Sequence, residues 1–178
     1  MKKLVVAVGL ALAVLGLPGA QAAVAGPAYL AVTSFSATLQ NPNLAKLSVT
    51  TGGNIPIRAD DFINSNLVVG LAWADLSTGK VFVATIHPVL GRDSLQNPVG
   101  WHAHTATLAG VATAPHDFCV ASIDSTPTAG IKIEANTMAV NVAASDLPEP
   151  PDRFNAAKGF TIQKDSACVS GLAVQLSS

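Results

Sequence analysis

Three of the four histidines lie in one short polar stretch, residues 86–105, of an otherwise Ala- and Val-rich chain. His102 and His104 are two positions apart, so a β-strand directs both imidazoles to the same face. His87 comes just before a turn-rich loop that we expect to return the chain antiparallel, which places His87 beside His102. Imidazoles that converge from adjacent strands can bind Zn²⁺ or Cu²⁺, and Asp93 in the loop is a candidate fourth ligand or partner of a ligand. The spacing therefore makes His87, His102 and His104 a candidate divalent metal site.

The residues that flank these histidines leave a structural role open. One face of the predicted strand carries Trp101 and Ala103, and the other carries the two histidines followed by Ala106 and Leu108. If the Trp101 face packs in the core, the histidines are exposed to solvent. If the Leu108 face does, they are buried polar groups that must find hydrogen-bond partners. Because histidines are commonly satisfied without a metal, the sequence alone favours a structural role over a metal site.

The same cluster has a catalytic alternative. Ser94 could act as a nucleophile with His87 or His104 as its base, or a bound metal could activate water with Asp93 close by. The sequence contains neither a G-x-S-x-G nor an H-E-x-x-H motif. We therefore expect a non-enzymatic binding or structural protein, with a metal-dependent or serine-type hydrolase as the alternative. The fourth histidine, His116, is expected in a surface turn.

Turn residues recur at short intervals among runs of Val, Thr, Leu and Ala, a pattern typical of an all-β domain. We predict nine strands, at residues 29–39, 44–50, 67–75, 80–87, 100–108, 118–124, 131–135, 138–143 and 168–176. One or two short helices are expected, at residues 54–65 and at residues 152–158, where Gly159 follows. Short antiparallel strands in this number favour a β-sandwich, with a β-barrel as the alternative.

The start of the chain has the pattern of a secretory signal. Two lysines precede an uncharged apolar run over residues 4–17, and the Ala-Gln-Ala that follows offers the small residues that signal peptidase needs. This predicts a signal peptide over residues 1–22 and a single secreted β domain over residues 23–178, located in the periplasm, at the cell surface or in the medium. No membrane span is expected after cleavage.

The two cysteines, Cys119 and Cys168, are expected to form a disulfide, because an isolated pair in an exported protein is most often bridged.

The chain is 49% hydrophobic and 12% charged, which is unlike a disordered protein. Its formal net charge of −1 lacks the basic excess of a nucleic-acid-binding protein. We expect a monomer without a nucleic-acid partner.

The stretch IHPVLGRDSLQNPVGWHAHT, residues 86–105, resembles a block found in uncharacterised exported β-rich proteins of microbes. The resemblance implies secretion and a β fold. It implies no activity, because none is associated with such proteins.

Overall fold

The computed structural model describes residues 26–58, 68–87, 100–110 and 116–177, and it is all-β, as predicted. These ranges contain ten strands: β1 (Val32–Asn41), β2 (Leu44–Thr51), β3 (Val68–Asp75), β4 (Lys80–Ile86), β5 (His102–Ala109), β6 (Phe118–Ser125), β7 (Ala129–Glu134), β8 (Thr137–Ala143), β9 (Ala156–Lys164) and β10 (Leu172–Leu176). Their helical elements are single 3₁₀ turns at Ala28–Leu30, Ala144–Asp146 and Pro151–Arg153. None of the helices in the described ranges has the length and apolar character that a membrane span needs.

The strands form a four-stranded sheet and a closed barrel. The sheet has the order β1-β2-β8-β7, and the barrel closes in the order β10-β6-β5-β4-β3-β9. Each of the described strand pairs is antiparallel. The sheet packs against the outside of the barrel, so the fold combines the packed sheets of the predicted sandwich with the barrel that was its alternative.

The main hydrophobic core lies between the four-stranded sheet and the outer face of β3, β4 and β5. The Trp73 and Phe82 rings, both fully buried, meet edge to face there with centroids 6.1 Å apart. The Trp73 indole N–H donates to the Ser48 carbonyl at 3.3 Å. The buried Trp101 indole extends this core, and its N–H donates to the Pro56 carbonyl at 2.7 Å. Both tryptophans therefore have a structural role, with their polar atom satisfied by backbone.

A second core lies inside the barrel, and its residues alternate with those of the first. On β4, Val81 and Val83 belong to the barrel interior, whereas Phe82 and Ala84 pack against the sheet. β5 follows the same rule, since Ala103 packs against the sheet and its neighbour His104 lines the barrel interior. Strands buried on both faces carry apolar residues at nearly every position, which obscures the usual two-residue alternation.

The helix predicted at residues 152–158 is wrong. One 3₁₀ turn ends at Arg153, and the chain then forms β9 between β3 and β10. The Arg153 guanidinium donates to the carboxylate of Asp75, buried at the end of β3, at 3.0 and 3.1 Å. Gly159, predicted to end the helix, is instead the point where β9 passes against Leu30. A Cβ added at Gly159 would lie 2.6 Å from that of Leu30. Pairing on both sides of β9 therefore overrides the local helix signals.

The other predicted helix spans residues 54–65, of which residues 59–65 lie outside the described part of the chain. Residues 54–58 are not helical.

The barrel closes through the shortest of the described strand pairings. β6 and β10 share only two residue pairs, and we call β6, β10 and the turn between β9 and β10 the barrel seam. The predicted disulfide between Cys119 and Cys168 is confirmed, and it joins β6 to that turn. His116, two residues before β6, forms an ion pair of 2.9 Å with Asp165 in the same turn. Covalent and side-chain contacts thus supplement the few backbone hydrogen bonds of the seam.

Candidate metal site and adjoining cavity

The structure brings the three predicted histidines together in the barrel. His102 and His104 lie two positions apart on β5, and His87 follows the last residue of the neighbouring strand β4. The two strands are antiparallel, with Thr85 opposite His102, so the chain returns as predicted. The three histidines are only 6%, 7% and 6% exposed in chain order.

The imidazole rings form a compact cluster. The His87 and His102 ring centroids are 4.6 Å apart and those of His102 and His104 are 4.9 Å apart, with interplanar angles of 82° and 81°. One ligand nitrogen from each ring lies within 4.8 Å of the other two. A tetrahedral zinc ion with Zn–N distances of about 2.0–2.1 Å needs ligand nitrogens about 3.4 Å apart. The distances between the three nitrogens must therefore shorten by about 1.4 Å at most when a metal binds.

Hydrogen bonds to the far side of two rings determine which nitrogen faces the cluster. His102 Nδ1 lies 3.1 Å from the Gly100 carbonyl oxygen, which only accepts, so Nδ1 carries the proton. Its Nε2 lies 3.4 Å from the Thr85 hydroxyl. His104 Nδ1 lies 3.1 Å from the Thr126 hydroxyl. Metal-binding histidines are typically oriented through their other ring nitrogen in this way, which makes Nε2 the ligand atom of both residues.

The histidines lie on a buried face of β5, as one of the two alternatives predicted, but around them the opposite face of the strand is buried as well. Trp101 and Ala103 pack against the four-stranded sheet, while His104 and Ala106 line the barrel interior. The histidines are therefore buried polar groups and not solvated ones. The hydrogen bonds of His102 and His104 to backbone and threonine are the partners that such burial requires.

A cavity of about 550 Å³ occupies the barrel interior and reaches the histidine cluster, where His87, His104 and Thr85 line it. Most of the remaining described lining is aliphatic and small, including Ala72 and Ala106. A volume of this size is within the range of about 300–1,000 Å³ found for small-molecule sites. The candidate metal site thus opens on a space that can hold a ligand.

Four of the described lining residues are ionisable: Asp75, His87, His104 and Lys158. The Ser77 hydroxyl and backbone N–H, together with Arg153, hold the pKa of Asp75 below its usual 3.8. The carboxylate of Asp75 is therefore charged and already paired. No other acidic side chain lines the cavity among the residues that the structure describes.

The other predicted residues are not part of the described cluster. Asp93 and Ser94 lie outside the described residues. His116 is at the barrel seam, where its Nδ1 lies 2.9 Å from Asp165 and its Nε2 3.3 Å from Gln163.

The two threonines and the cavity were not predicted from the sequence. Thr85 is two positions before His87 on the same strand face, so alternation could have identified it. Thr126 could not be found in this way, because two irregularities in the β5–β6 register decide which residue faces His104. The cavity depends on barrel closure, which no local pattern encodes.

The structure thus defines an all-β protein with a closed barrel, a buried cluster of three histidines and a disulfide. No family model, curated protein or solved structure matches the chain. Its function therefore has to be inferred from the chemistry of the site.

Proposed function

We propose that this chain is a metal-binding protein of the extracytoplasmic space, with His87, His102 and His104 as ligands of a divalent cation. The observation that carries the proposal is the convergence of three ligand nitrogens, from two adjacent strands, within 4.8 Å of one another. If the histidines had only a structural role on their strands, nothing would require all three of them to lie in contact. The role we propose is binding, not catalysis.

The donor set favours Zn²⁺ or Cu²⁺. Imidazole nitrogen suits both ions, whereas Ca²⁺ and Mg²⁺ prefer oxygen ligands. The thiolate of a blue-copper centre has no source here, because both cysteines are in the disulfide. Three neutral imidazoles leave a fourth position for Asp93, water or another ligand.

Export is supported by the N-terminal pattern of residues 1–22 and by the resemblance of residues 86–105 to exported microbial proteins. The disulfide is compatible with an oxidising compartment, where such bonds persist. We place the domain of residues 23–178 in the periplasm, at the cell surface or in the medium.

Elemental analysis tests the metal site. The mature chain, without a His tag, is purified from an oxidising compartment and compared with a His102→Ala/His104→Ala double variant. We expect close to one equivalent of zinc or copper in the wild type and less than a tenth of this in the variant. His116→Ala is the matched control, since it removes a histidine outside the cluster, and its metal content should equal that of the wild type.

An alternative variant guards against loss of the fold, because replacing two buried histidines with alanine leaves a cavity as well as removing two ligands. His87→Asn keeps a polar side chain of similar size at the end of β4 and removes the imidazole ligand. If the wild type contains no metal and gains none on titration with Zn²⁺ or Cu²⁺ at neutral pH, the proposal is wrong.

A second candidate is a metal-dependent hydrolase, and the cavity beside the histidines favours it. A catalytic zinc site keeps a position open to water, whereas a structural site is closed by four protein ligands. Zinc-loaded protein should then hydrolyse nitrophenyl esters faster than the metal-free protein. Equal rates for the zinc-loaded protein, the metal-free protein and the double variant would exclude this ester hydrolase activity.

A further inference from the structure

We infer that the barrel cavity binds an aliphatic carboxylate, with the carboxylate on the metal and the alkyl chain in the apolar interior. This inference rests on the proposed metal site and specifies what occupies the position that the three histidines leave open. It assigns to the protein a ligand class: a monocarboxylate with an unbranched chain of about ten to twelve carbons.

The shape of the cavity supports an elongated ligand. The cavity is elongated along the strands: its lining along β4 runs from Val81 to His87, about 20 Å at about 3.3 Å per residue, which is long enough for an extended alkyl chain of about ten to twelve carbons. At the far end it reaches Leu76 and Gly79 in the turn between β3 and β4. A compact ligand would leave part of this length without contacts.

The lining supports an apolar chain. Between the two ends the described walls are aliphatic or aromatic at most positions, including Val83, Val120, Phe160 and Val174. Ala72 faces the same space and stays partly exposed inside the closed barrel. Burying an alkyl chain against such walls is favourable, since each buried CH₂ contributes to binding through the hydrophobic effect.

The charges favour an anionic head group at the histidine end. Three neutral imidazoles leave the charge of a divalent ion uncompensated, and a carboxylate oxygen is a ligand that zinc accepts. Asp75 is the one acidic residue of the described lining, and its carboxylate is already paired with Arg153. A carboxylate on the metal therefore offsets positive charge that the described lining does not neutralise.

The experiment uses the mature protein loaded with Co²⁺, whose visible absorption reports changes in coordination. Dodecanoate is titrated in parallel with acetate, which has the same head group without the chain, and with dodecan-1-ol, which has the chain without the charge. We expect dodecanoate to shift the Co²⁺ bands with a Kd at least a hundredfold below that of acetate. Dodecan-1-ol should leave the bands unchanged.

Cavity-filling variants locate the chain. Ala72→Phe places a ring in the cavity and should weaken dodecanoate to the level of acetate while Co²⁺ binding stays as in the wild type. Ala121→Phe is the matched control, because Ala121 is on the exposed face of β6, and it should bind dodecanoate normally. If Ala72→Phe does not fold, the smaller change Ala74→Leu, on the same face of β3, replaces it.

The possible failures can be told apart. If Co²⁺ binds but dodecanoate binds no more tightly than acetate, the carboxylate inference is overturned and the metal site stands. If dodecan-1-ol shifts the bands as dodecanoate does, coordination by the carboxylate is overturned. If the wild type binds no Co²⁺, Zn²⁺ or Cu²⁺, the proposed function fails and this inference fails with it.

Discussion

A side-chain hydrogen bond joins His104 to Thr126, with the imidazole Nδ1 3.1 Å from the threonine hydroxyl. His104 is on β5, and Thr126 lies just after β6, in the connection to the four-stranded sheet. The contact therefore links the orientation of a candidate metal ligand to the packing of a neighbouring strand. It gives the histidine cluster an outer partner that a purely local motif does not have.

Replacing Thr126 with valine should weaken metal binding without removing a ligand. The valine has nearly the same shape but cannot hydrogen-bond to His104, and loss of such an outer partner typically costs about 10–100-fold in metal affinity. Zinc affinity is measured by competition with a chelator. Thr128→Val, at an exposed position two residues later, is the control and should bind zinc like the wild type. Equal affinities for Thr126→Val and the wild type would show that the hydroxyl does not orient the ligand.

Local sequence patterns predicted most of the strands and the meeting of the histidines. Runs such as those at β3 and β4 are rich in branched and aromatic residues, and the turn between them contains Gly79 at a positive φ of 70°. The two-residue spacing of His102 and His104 and the antiparallel return from His87 depend only on strand geometry. These features could be predicted because they are encoded by neighbours in the chain.

The features that were missed depend on partners distant in sequence. β9 carries the local signals of a short helix, yet it is a strand because β3 and β10 pair with its two edges. The burial of both faces of β5 follows from barrel closure on one side and the four-stranded sheet on the other. Periodicity in one strand cannot distinguish a face exposed to solvent from a face that lines a barrel.

Removing the disulfide should destabilise the protein substantially. Cys119 and Cys168 are separated by 49 positions. A cross-link over a loop of this size stabilises a fold by about 4 kcal/mol in the chain-entropy model. The Cys119→Ser/Cys168→Ser variant should therefore lose about this much free energy of unfolding in urea titrations. Reductant should lower the stability of the wild type and leave the double variant unchanged. A loss below about 1 kcal/mol would mean that the seam is held by its other contacts.

The ion pair between His116 and Asp165 should make stability depend on pH. The hydrogen bond from His116 to Asp165 raises the pKa of His116 above its usual 6.5. The Ala167 backbone N–H and His116 lower the pKa of Asp165 below its usual 3.8. The contribution of His116 is therefore complete below pH 6.5 and is lost as the pH rises through its raised pKa. That of Asp165 is complete above pH 3.8 and is lost as the pH falls through its lowered pKa.

Urea titrations of wild type and His116→Gln at pH 5.5 and pH 8.5 check this dependence. The variant should be less stable than the wild type at pH 5.5, and the difference should shrink at pH 8.5. Lys132→Gln is the control, because it breaks an exposed pair with Glu134 in which the lysine pKa is raised above 10.5 and the glutamate pKa is lowered below 4.5. Its effect should be the same at both pH values. If His116→Gln behaves in the same way as this control, the ion pair does not titrate in this range.

Gly159→Ala should destabilise the fold, although alanine is normally the better residue in a strand. The added Cβ would lie 2.6 Å from the Cβ of Leu30, which is fully buried, and 2.7 Å from its carbonyl carbon. Backbone and core must shift to admit it, and overpacking of this kind costs about 1–3 kcal/mol. At Gly130, on β7, the nearest atom is 3.9 Å away, so Gly130→Ala should leave stability unchanged or raise it. Urea titrations of the two variants distinguish close packing at Gly159 from a general effect of alanine, and equal stabilities would show that β9 does not depend on this contact with Leu30.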